Sequence, residues 1–248
     1  MLVKVYGSAV FGIEATTITV EVNIDKGIGY HLVGLPDNAV RESSYRISAA
    51  LSNNDYKLPG KKIIINMAPA DIRKEGASYD LTLAIGILAA SNQIKFNNIN
   101  DYIIMGELSL DGSLQPIRGA LPIAIKAREE GFKYLILPKE NAKEAAIVDN
   151  LIVLGVENIL EVINHFNGDK KIEPTIVDTR AEFYKNIDFT LRELQMRTIS
   201  FGAIAGVEVT VVNTLAEFLS LLFSLFQGCT EPNMLYFKSV LKLRCSLK

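Results

Sequence analysis

The 248-residue sequence predicts an α/β domain over most of its length, followed by a C-terminal stretch of different character. Short runs of β-branched and apolar residues alternate with segments whose apolar residues recur every three or four positions. Hydrophobic residues make up 49% of the chain and charged residues 22%, which excludes a mainly disordered protein. The 26 Lys and Arg nearly balance the 28 Asp and Glu, so a strongly basic nucleic-acid-binding chain is excluded as well.

The first third of the sequence predicts three strands and one helix. Residues 2–12 and 17–24 are rich in β-branched residues, and in the second run polar and apolar residues alternate. Residues 30–34 predict a third strand, and Asp37 then predicts the N-cap of a helix. The apolar residues on one face of this helix are Val40, Ile47 and Leu51.

The following segments continue the alternation. Residues 61–67 predict a buried strand, and residues 78–90 predict a helix that is apolar on nearly every side and therefore central. Residues 103–110 predict a strand that ends at an Asp111-Gly112 hairpin turn. The remaining predictions, in order, are helix 119–130, strand 134–137, helix 140–147, strand 151–154 and helix 158–166.

Three regions follow from this pattern. We predict a domain over residues 1–167, a polar linker over residues 168–189, which contains Pro174, and an atypical apolar tail over residues 190–248. The tail contains both cysteines of the chain, Cys229 and Cys245. Because Glu208 and Glu217 interrupt its apolar stretch, the tail lacks the span of about 20 residues that crosses a membrane.

Several kinds of functional site are not predicted. The phosphate-binding pattern Gly-x-x-x-x-Gly-Lys-Ser/Thr does not occur, which argues against ATP or GTP hydrolysis by this chain. His31 and His165 have no second metal ligand near them in the sequence, so we expect structural or surface roles for both. We predict no cofactor or metal residues, and the N-terminal sequence predicts no signal peptide and a cytoplasmic location.

Ser78 is the candidate for chemistry. It begins the predicted central helix after a glycine-containing loop, where the helix dipole and free N–H groups favour a developing negative charge. It is therefore either a nucleophile or simply an N-cap.

Residues 74–78, Lys-Glu-Gly-Ala-Ser, resemble the nucleophile motif of Lon-type proteases. Residues 106–119 resemble the Lon segment that leads to the catalytic lysine, and residues 137–141 resemble the end of the next Lon strand. The resemblance implies the fold shared by Lon proteolytic domains and the second domain of the fifth small-subunit ribosomal protein.

A narrower resemblance rests on three motifs in order. Residues 33–43, 66–81 and 105–119 resemble the N-terminal domain of the YifB/ComM family of magnesium-chelatase-like ATPases, over about residues 1–189. The resemblance implies, for the intact family, a hexameric AAA+ motor that binds ATP and magnesium and acts on DNA in competence and recombination. The ATPase module should follow residue 189, but residues 190–248 do not resemble it.

The Lon-type dyad is incomplete in this sequence. A serine nucleophile needs a base, and the resemblance places the lysine five residues after Pro116, where this chain has Leu121. Lys126 lies five residues further on, about 140° around the helix from Leu121. We therefore predict no catalytic residue: Ser78 corresponds to the Lon nucleophile and is inactive, and Leu121 marks the lost base.

The leading hypothesis is a non-catalytic N-terminal module of a YifB/ComM-type protein that lacks its ATPase module. The alternatives are a Lon-like serine hydrolase with an unrecognised base, and an oligomerising scaffold. For the tail we favour a frameshifted or truncated gene, because composition and family motifs change together, over a divergent domain or a membrane-associated helix. The candidates for a modest basic face are Arg41, Arg46, Lys57, Lys61 and Lys62; the alternative is that they are scattered, solvated surface residues.

Overall fold

The structure is a computed structural model and describes residues 1–95 and 98–177. The predicted tail and residues 178–189 of the predicted linker lie outside these residues. The strands are β1 (Leu2–Phe11), β2 (Glu14–Asp25), β3 (Gly29–Val33), β4 (Lys62–Ala68), β5 (Tyr102–Ile104), β6 (Glu107–Leu108), β7 (Leu114–Gln115), β8 (Tyr134–Pro138) and β9 (Ile152–Val156). The helices are α1 (Asn38–Asn53), α2 (Asp80–Ala90), α3 (Ala120–Glu129), α4 (Lys139–Ala145) and α5 (Ile159–Asn167), with one 3₁₀ turn at Ile99–Asp101.

Within the described residues, seven strands form one mostly parallel sheet in the order β3-β4-β2-β1-β5-β8-β9. The long β1–β2 hairpin is antiparallel and lies near the middle, and β4 continues it as an antiparallel neighbour of β2. The pairs β3–β4, β1–β5, β5–β8 and β8–β9 are parallel. The α/β class predicted from the sequence is confirmed.

Helix α1 begins and packs as its sequence predicts. The Asp37 Oδ1 atom accepts the Val40 backbone N–H at 2.8 Å, which satisfies one of the free donors at the helix start. The predicted apolar stripe of Val40, Ile47 and Leu51 is buried. Asp37 is therefore the N-cap of this helix.

Helix α2 lies at the centre of the domain. All eleven of its residues are buried, and it packs against β1, β2 and α1. Gly86 makes the contact with the sheet possible, because an added Cβ would lie 2.8 Å from Cγ2 of Val22 and 3.2 Å from Cγ2 of Val5. The prediction of a central apolar helix is confirmed.

The single strand predicted over residues 103–110 is wrong. Strand β5 ends at Ile104, and β6 belongs to a separate two-stranded hairpin with β7. Gly106 explains the break, because its N–H donates to the carbonyl of Ser78 at 2.7 Å and its own carbonyl accepts the N–H of Leu81 at 3.0 Å. The chain therefore leaves the sheet toward the start of α2.

The chain beyond α5 continues along the domain. Gly168 ends this helix in the left-handed conformation, with φ +85°. The Ile172 N–H then donates to His165 Nδ1 at 3.1 Å, and the Thr175 N–H donates to the carbonyl of Val153 in β9 at 2.8 Å. The end of α5 coincides with the predicted boundary at residue 167, but residues 172 and 175 still contact the domain.

Candidate functional site

A cavity of about 390 Å³ opens where β1 and β5 separate. Its walls come from four parts of the chain: the end of β1, the loop before α2, the turn after β5, and the segment that leads into α3. In parallel α/β sheets, ligands bind where neighbouring strands diverge at their carboxyl ends. This cavity is therefore the candidate functional site.

Met105 separates the two strands. The register of β1 with β5 is Tyr6 opposite Ile103, but the Met105 N–H bonds the Ile136 carbonyl in β8 at 2.9 Å. The Met105 sulfur instead accepts the backbone N–H of Ser8 at 3.1 Å. At the cavity floor, this side-chain contact therefore takes the place of a backbone hydrogen bond between β1 and β5. A thioether sulfur is only a weak acceptor.

Asp37 holds the loop before α2 in place. Its Oδ2 atom accepts the N–H of Gly76 at 3.0 Å while Oδ1 caps α1 through Val40. The Asp37 N–H donates to the Lys74 carbonyl at 3.0 Å, and the Lys74 N–H donates to the Leu35 carbonyl at 3.1 Å. The motifs of residues 33–43 and 66–81 therefore form one interlocked unit.

The turn between β3 and α1 requires glycine at position 34. An added Cβ there would lie 2.1 Å from the carbonyl oxygen of Met67, and φ is +101°. The next residue, Leu35, is exposed and also has a left-handed backbone, with φ +56°. The close approach of this turn to β4 brings the Asp37 carboxylate to the loop before α2.

Ser78 lines the cavity and is half-buried. Its interpretation as an N-cap is wrong, because α2 begins at Asp80, Tyr79 occupies the cap position, and the side chain of Tyr79 makes no cap bond. The Ser78 carbonyl accepts the Gly106 N–H, which draws this residue toward the β5–β6 turn. The hydroxyl-bearing residue thus lies in the cavity wall beside the helix start.

Leu121, the residue at the Lon lysine position, is not part of the cavity lining in the described residues. Its side chain packs against the core, and its N–H donates to Glu144 Oε1 at 3.0 Å. Lys126 forms an ion pair at 3.2 Å with Glu130, the C-cap residue of α3.

Lys74 precedes Ser78 by four residues and is fully buried. Its ammonium group donates to the carbonyl of Pro69, and burial lowers the pKa of the amine. The described part of the cavity wall contains no lysine or histidine, so none of its lining side chains is an amine or imidazole base for Ser78.

Asn141 fixes the wall that leads into α3. This buried side chain accepts the N–H of Ile117 at 2.8 Å and donates to the Ile117 carbonyl at 2.9 Å. The two bonds form a ring that holds the backbone between Pro116 and Arg118. Sequence reasoning noted the motif of residues 137–141 but could not tell which backbone Asn141 holds.

Arg46 does not belong to the basic face that the sequence suggested. Its Nε lies 2.6 Å from Asp80 Oδ2, and a second guanidinium nitrogen lies 2.9 Å from Asp80 Oδ1. The hydrogen bond to Asp80 raises the pKa of Arg46, whereas burial raises the pKa of Asp80 in spite of this pairing. The pair joins α1 to the start of α2 and engages the Arg46 guanidinium, although the Arg46 side chain keeps 22% of its surface exposed.

The two histidines occupy different environments. His31 is exposed on β3, whereas His165 is half-buried and serves as a hydrogen-bond partner. Its Nδ1 accepts the Ile172 N–H, and its Nε2 lies 3.2 Å from the hydroxyl oxygen of Tyr102. Burial, followed by the nearby charge of Lys171, lowers the pKa of His165.

Among the described residues, no three His, Cys, Asp or Glu side chains come together as a metal-binding group. No helix within residues 1–95 and 98–177 is long and apolar enough to cross a bilayer.

Comparisons with known proteins place this domain in a family. The model for subunit ChlI of Mg-chelatase matches residues 20–141, which include α2 and most of the cavity wall. Competence protein ComM of Haemophilus influenzae is 40% identical over 172 residues, which are 69% of this chain and 34% of that protein. The chain belongs to the YifB/ComM family.

Two further relatives place the family in context. Protein YifB of Escherichia coli is 37% identical over 206 residues, 82% of this chain and 40% of that protein. The peroxisomal Lon protease homolog 2 of Caenorhabditis elegans is 27% identical over 161 residues, 60% of this chain and 21% of that protein. The N-terminal region of this YifB/ComM chain is therefore Lon-like, and the chain spans two fifths or less of these relatives' lengths.

Proposed function

We propose that this YifB/ComM-family chain is a non-catalytic N-terminal module with a Lon-protease-like fold. The observation that supports this most directly is Ser78, which lines a cavity whose described wall carries no lysine or histidine. Leu121 occupies the position that the Lon resemblance assigns to the base, and a hydrocarbon side chain cannot accept a proton. We expect the cavity to bind rather than to cleave.

The ATPase activity of the intact family would reside elsewhere. The sequence contains no Gly-x-x-x-x-Gly-Lys-Ser/Thr loop, and the described residues offer no cluster for a metal ion. We propose that ATP and magnesium bind a module of the intact family other than the domain described above, and that residues 190–248 arise from a frameshifted or truncated ATPase region. Sequencing the DNA downstream of the Phe189 codon tests this, since the proposal expects Gly-x-x-x-x-Gly-Lys in a shifted frame.

The wider role is proposed from the relatives. The name of the ComM relative supports a role in competence, and we extend this to DNA recombination by a cytoplasmic homo-oligomer. Arg41, Lys57 and Lys61 are exposed, but the engagement of Arg46 leaves the suggested basic face smaller than its sequence implied. We therefore expect most DNA contacts of the intact protein to come from parts outside this domain.

A peptidase assay tests the non-catalytic proposal. The full chain and its Ser78→Ala variant should release peptides from casein at the same background rate. Activity that survives further purification and disappears in Ser78→Ala would contradict the proposal.

Peptidase activity that disappears in Ser78→Ala would support the second candidate, a Lon-like serine hydrolase. The position of Ser78 beside the start of α2 favours this candidate, since the helix dipole stabilises an alkoxide. An oligomerising scaffold without DNA contact is a further alternative.

A further inference from the structure

The outer edge of β3 is open. Strand β3 lies at one end of the seven-stranded sheet and, within the described residues, pairs with β4 alone. In a strand that pairs on one side, every second residue directs its N–H and carbonyl groups toward the other side. The outer edge of β3 therefore offers backbone hydrogen bonds to a further strand.

The opposite edge of the sheet is partly covered by the chain itself. At β9, the other end strand, the Val153 carbonyl accepts the Thr175 N–H at 2.8 Å. The side chain of Thr175 also lies along β9, because an added Cβ on Gly155 would lie 3.3 Å from Thr175 Oγ1. A second copy that approached β9 would have to displace this segment, whereas one that approached β3 would displace no segment of the described residues.

The sequence around β3 lacks the residues that usually protect a strand edge. Residues 29–35, Gly-Tyr-His-Leu-Val-Gly-Leu, contain no lysine, arginine, acidic residue or proline. Lys and Pro on edge strands commonly prevent pairing with other chains. Exposed apolar side chains lie at both ends of the strand instead: Ile28 is 92% exposed, Val33 49% and Leu35 55%. Covering this edge would remove that apolar surface from water.

The side chains of β3 divide between the two faces of the sheet. Tyr30 and Leu32 pack against the core, whereas His31 and Val33 are exposed on the other face. His31 is the middle residue of the strand, with two residues on each side. A two-fold axis at His31 would therefore use the whole length of β3.

An antiparallel pair of β3 strands around this axis is self-complementary. His31 faces its own counterpart, and Ile28 faces Gly34 of the second copy, between Val33 and Leu35 of that copy. The exposed apolar residues of the two ends thus come together, and the symmetry makes each of these contacts twice. The core-facing side chains of both copies stay on one face of the joined sheet.

We propose that β3 pairs in antiparallel orientation with β3 of a second copy, so that two seven-stranded sheets join across a two-fold axis at His31. The occupant is a second copy because the two ends of this edge complement each other, and because residues 29–35 offer no charge to a charged partner. The inference rests on the homo-oligomer of the proposed function and not on the absence of catalysis. One strand pair is smaller than the standard interface of about 800 Å² per partner, so the dimer is weak and reversible.

The first test traps the strand pair with a disulfide. Directly opposite Cα atoms of antiparallel strands lie about 4.5–5.5 Å apart, within the range of about 4.4–6.8 Å that a disulfide spans. In the full chain with serine in place of Cys229 and Cys245, His31→Cys should therefore form a covalent dimer under mild oxidation.

Val33→Cys in the same background is the matched control. This residue is exposed on the same face of the same strand. In the proposed register, the two copies of residue 33 are four steps of about 3.3 Å apart along the strands, or about 13 Å. Val33→Cys should therefore yield about tenfold less covalent dimer than His31→Cys at equal oxidation time.

The second test places charges at the two-fold axis of the full chain. His31→Lys and His31→Glu each bring like charges opposite each other, which should weaken dimerisation about two- to fivefold in sedimentation equilibrium over a dilution series. An equimolar mixture of the two variants should associate more tightly than either variant alone, because a cation then faces an anion. Arg128→Glu and Glu129→Lys change exposed residues on α3 and should leave dimerisation unchanged.

The outcomes separate this inference from the proposed function. A full chain that stays monomeric across the dilution series overturns both the inference and the homo-oligomer. If the chain self-associates, a disulfide yield from His31→Cys no higher than that from Val33→Cys overturns only the inference. A mixture that associates no more tightly than its separate variants does the same. Preferential trapping at position 31 together with tighter association of the mixture supports strand pairing at this edge.

Discussion

The carboxylate of Asp37 accepts the backbone N–H of Gly76 at 3.0 Å, across 39 positions of sequence. Its other oxygen caps α1 through Val40. Gly76 has φ +80°, a conformation that suits glycine, and begins the short run that leads to Ser78. One side chain therefore fixes both the start of a helix and the wall of the cavity.

Two substitutions separate these roles of Asp37. Asp37→Ala removes both bonds, and we expect the free energy of unfolding to fall by about 1–3 kcal/mol, since an N-cap alone contributes about 1 kcal/mol. Asp37→Asn keeps one carbonyl oxygen for the cap and loses only an acceptor for Gly76, so its loss should be smaller. Urea unfolding of the full-length variants measures both. Equal losses would contradict the division of roles.

The sequence predicted what local pattern determines. Asp37 as an N-cap, the buried stripe of α1 and the apolar α2 follow from residue type and spacing alone. The break between β5 and β6 could not be predicted, because it depends on Gly106 bonding to Ser78 and Leu81, which are distant in sequence. A run of apolar residues has the same sequence pattern whether it forms one continuous strand or a strand that ends part-way along the run.

The candidate site also has one part that the sequence predicts and another that it does not. The serine loop is recognisable as a motif in the sequence, and in the structure it forms part of the cavity wall. The bond from Gly76 to Asp37 and the role of Asn141 are not predicted from the sequence, because they depend on which distant backbone groups these side chains reach. The misassignment of Arg46 to a basic face has the same origin, since its partner Asp80 is 34 positions away.

The chain should not hydrolyse ATP. The reason is the missing phosphate-binding loop in its sequence. Phosphate release in the presence of magnesium should equal that of a heat-denatured sample. Turnover that co-purifies with the chain through two different columns would contradict this prediction.

A lysine at position 121 should restore reactivity to Ser78 if the cavity retains the Lon arrangement. The parent chain should not react with a fluorophosphonate probe, whereas Leu121→Lys should label, because an amine can then take the serine proton. The double variant Leu121→Lys, Ser78→Ala is the control and should not label. Because Leu121 packs against the core, circular dichroism must first establish that the variant folds. Folded but unreactive Leu121→Lys would contradict the correspondence with Lon.

The end of the stable domain can be located by truncation. The sequence predicts that residues 1–167 fold alone and unfold with a midpoint close to that of the full chain. The hydrogen bonds of Ile172 and Thr175 change this expectation, because a chain ending at residue 167 loses both of them. The unfolding free energy of a chain of residues 1–177 should therefore be about 1–3 kcal/mol higher than that of residues 1–167. Urea unfolding compares the two, and Thr175→Pro in the longer chain should remove the part due to the Val153 bond.

Identical midpoints for the two chains would show that residues 168–177 add nothing. An insoluble product in both cases would contradict the self-sufficient domain.

Attachment of residue 172 should depend on pH through His165. Its Nδ1 must be unprotonated to accept the Ile172 N–H, and burial lowers its pKa below the ordinary value of about 6.5. The unfolded state therefore binds the proton more readily than the folded state, so this contribution to stability is present above about pH 6.5 and declines as the pH falls toward the lowered folded pKa.

Between pH 7.5 and 5, the unfolding free energy of the full chain should fall by more than that of His165→Asn, whose amide oxygen accepts the same N–H without titrating. His31→Asn controls for the other, exposed histidine and should behave as the parent chain. Parallel pH profiles for the parent chain and His165→Asn would contradict this role.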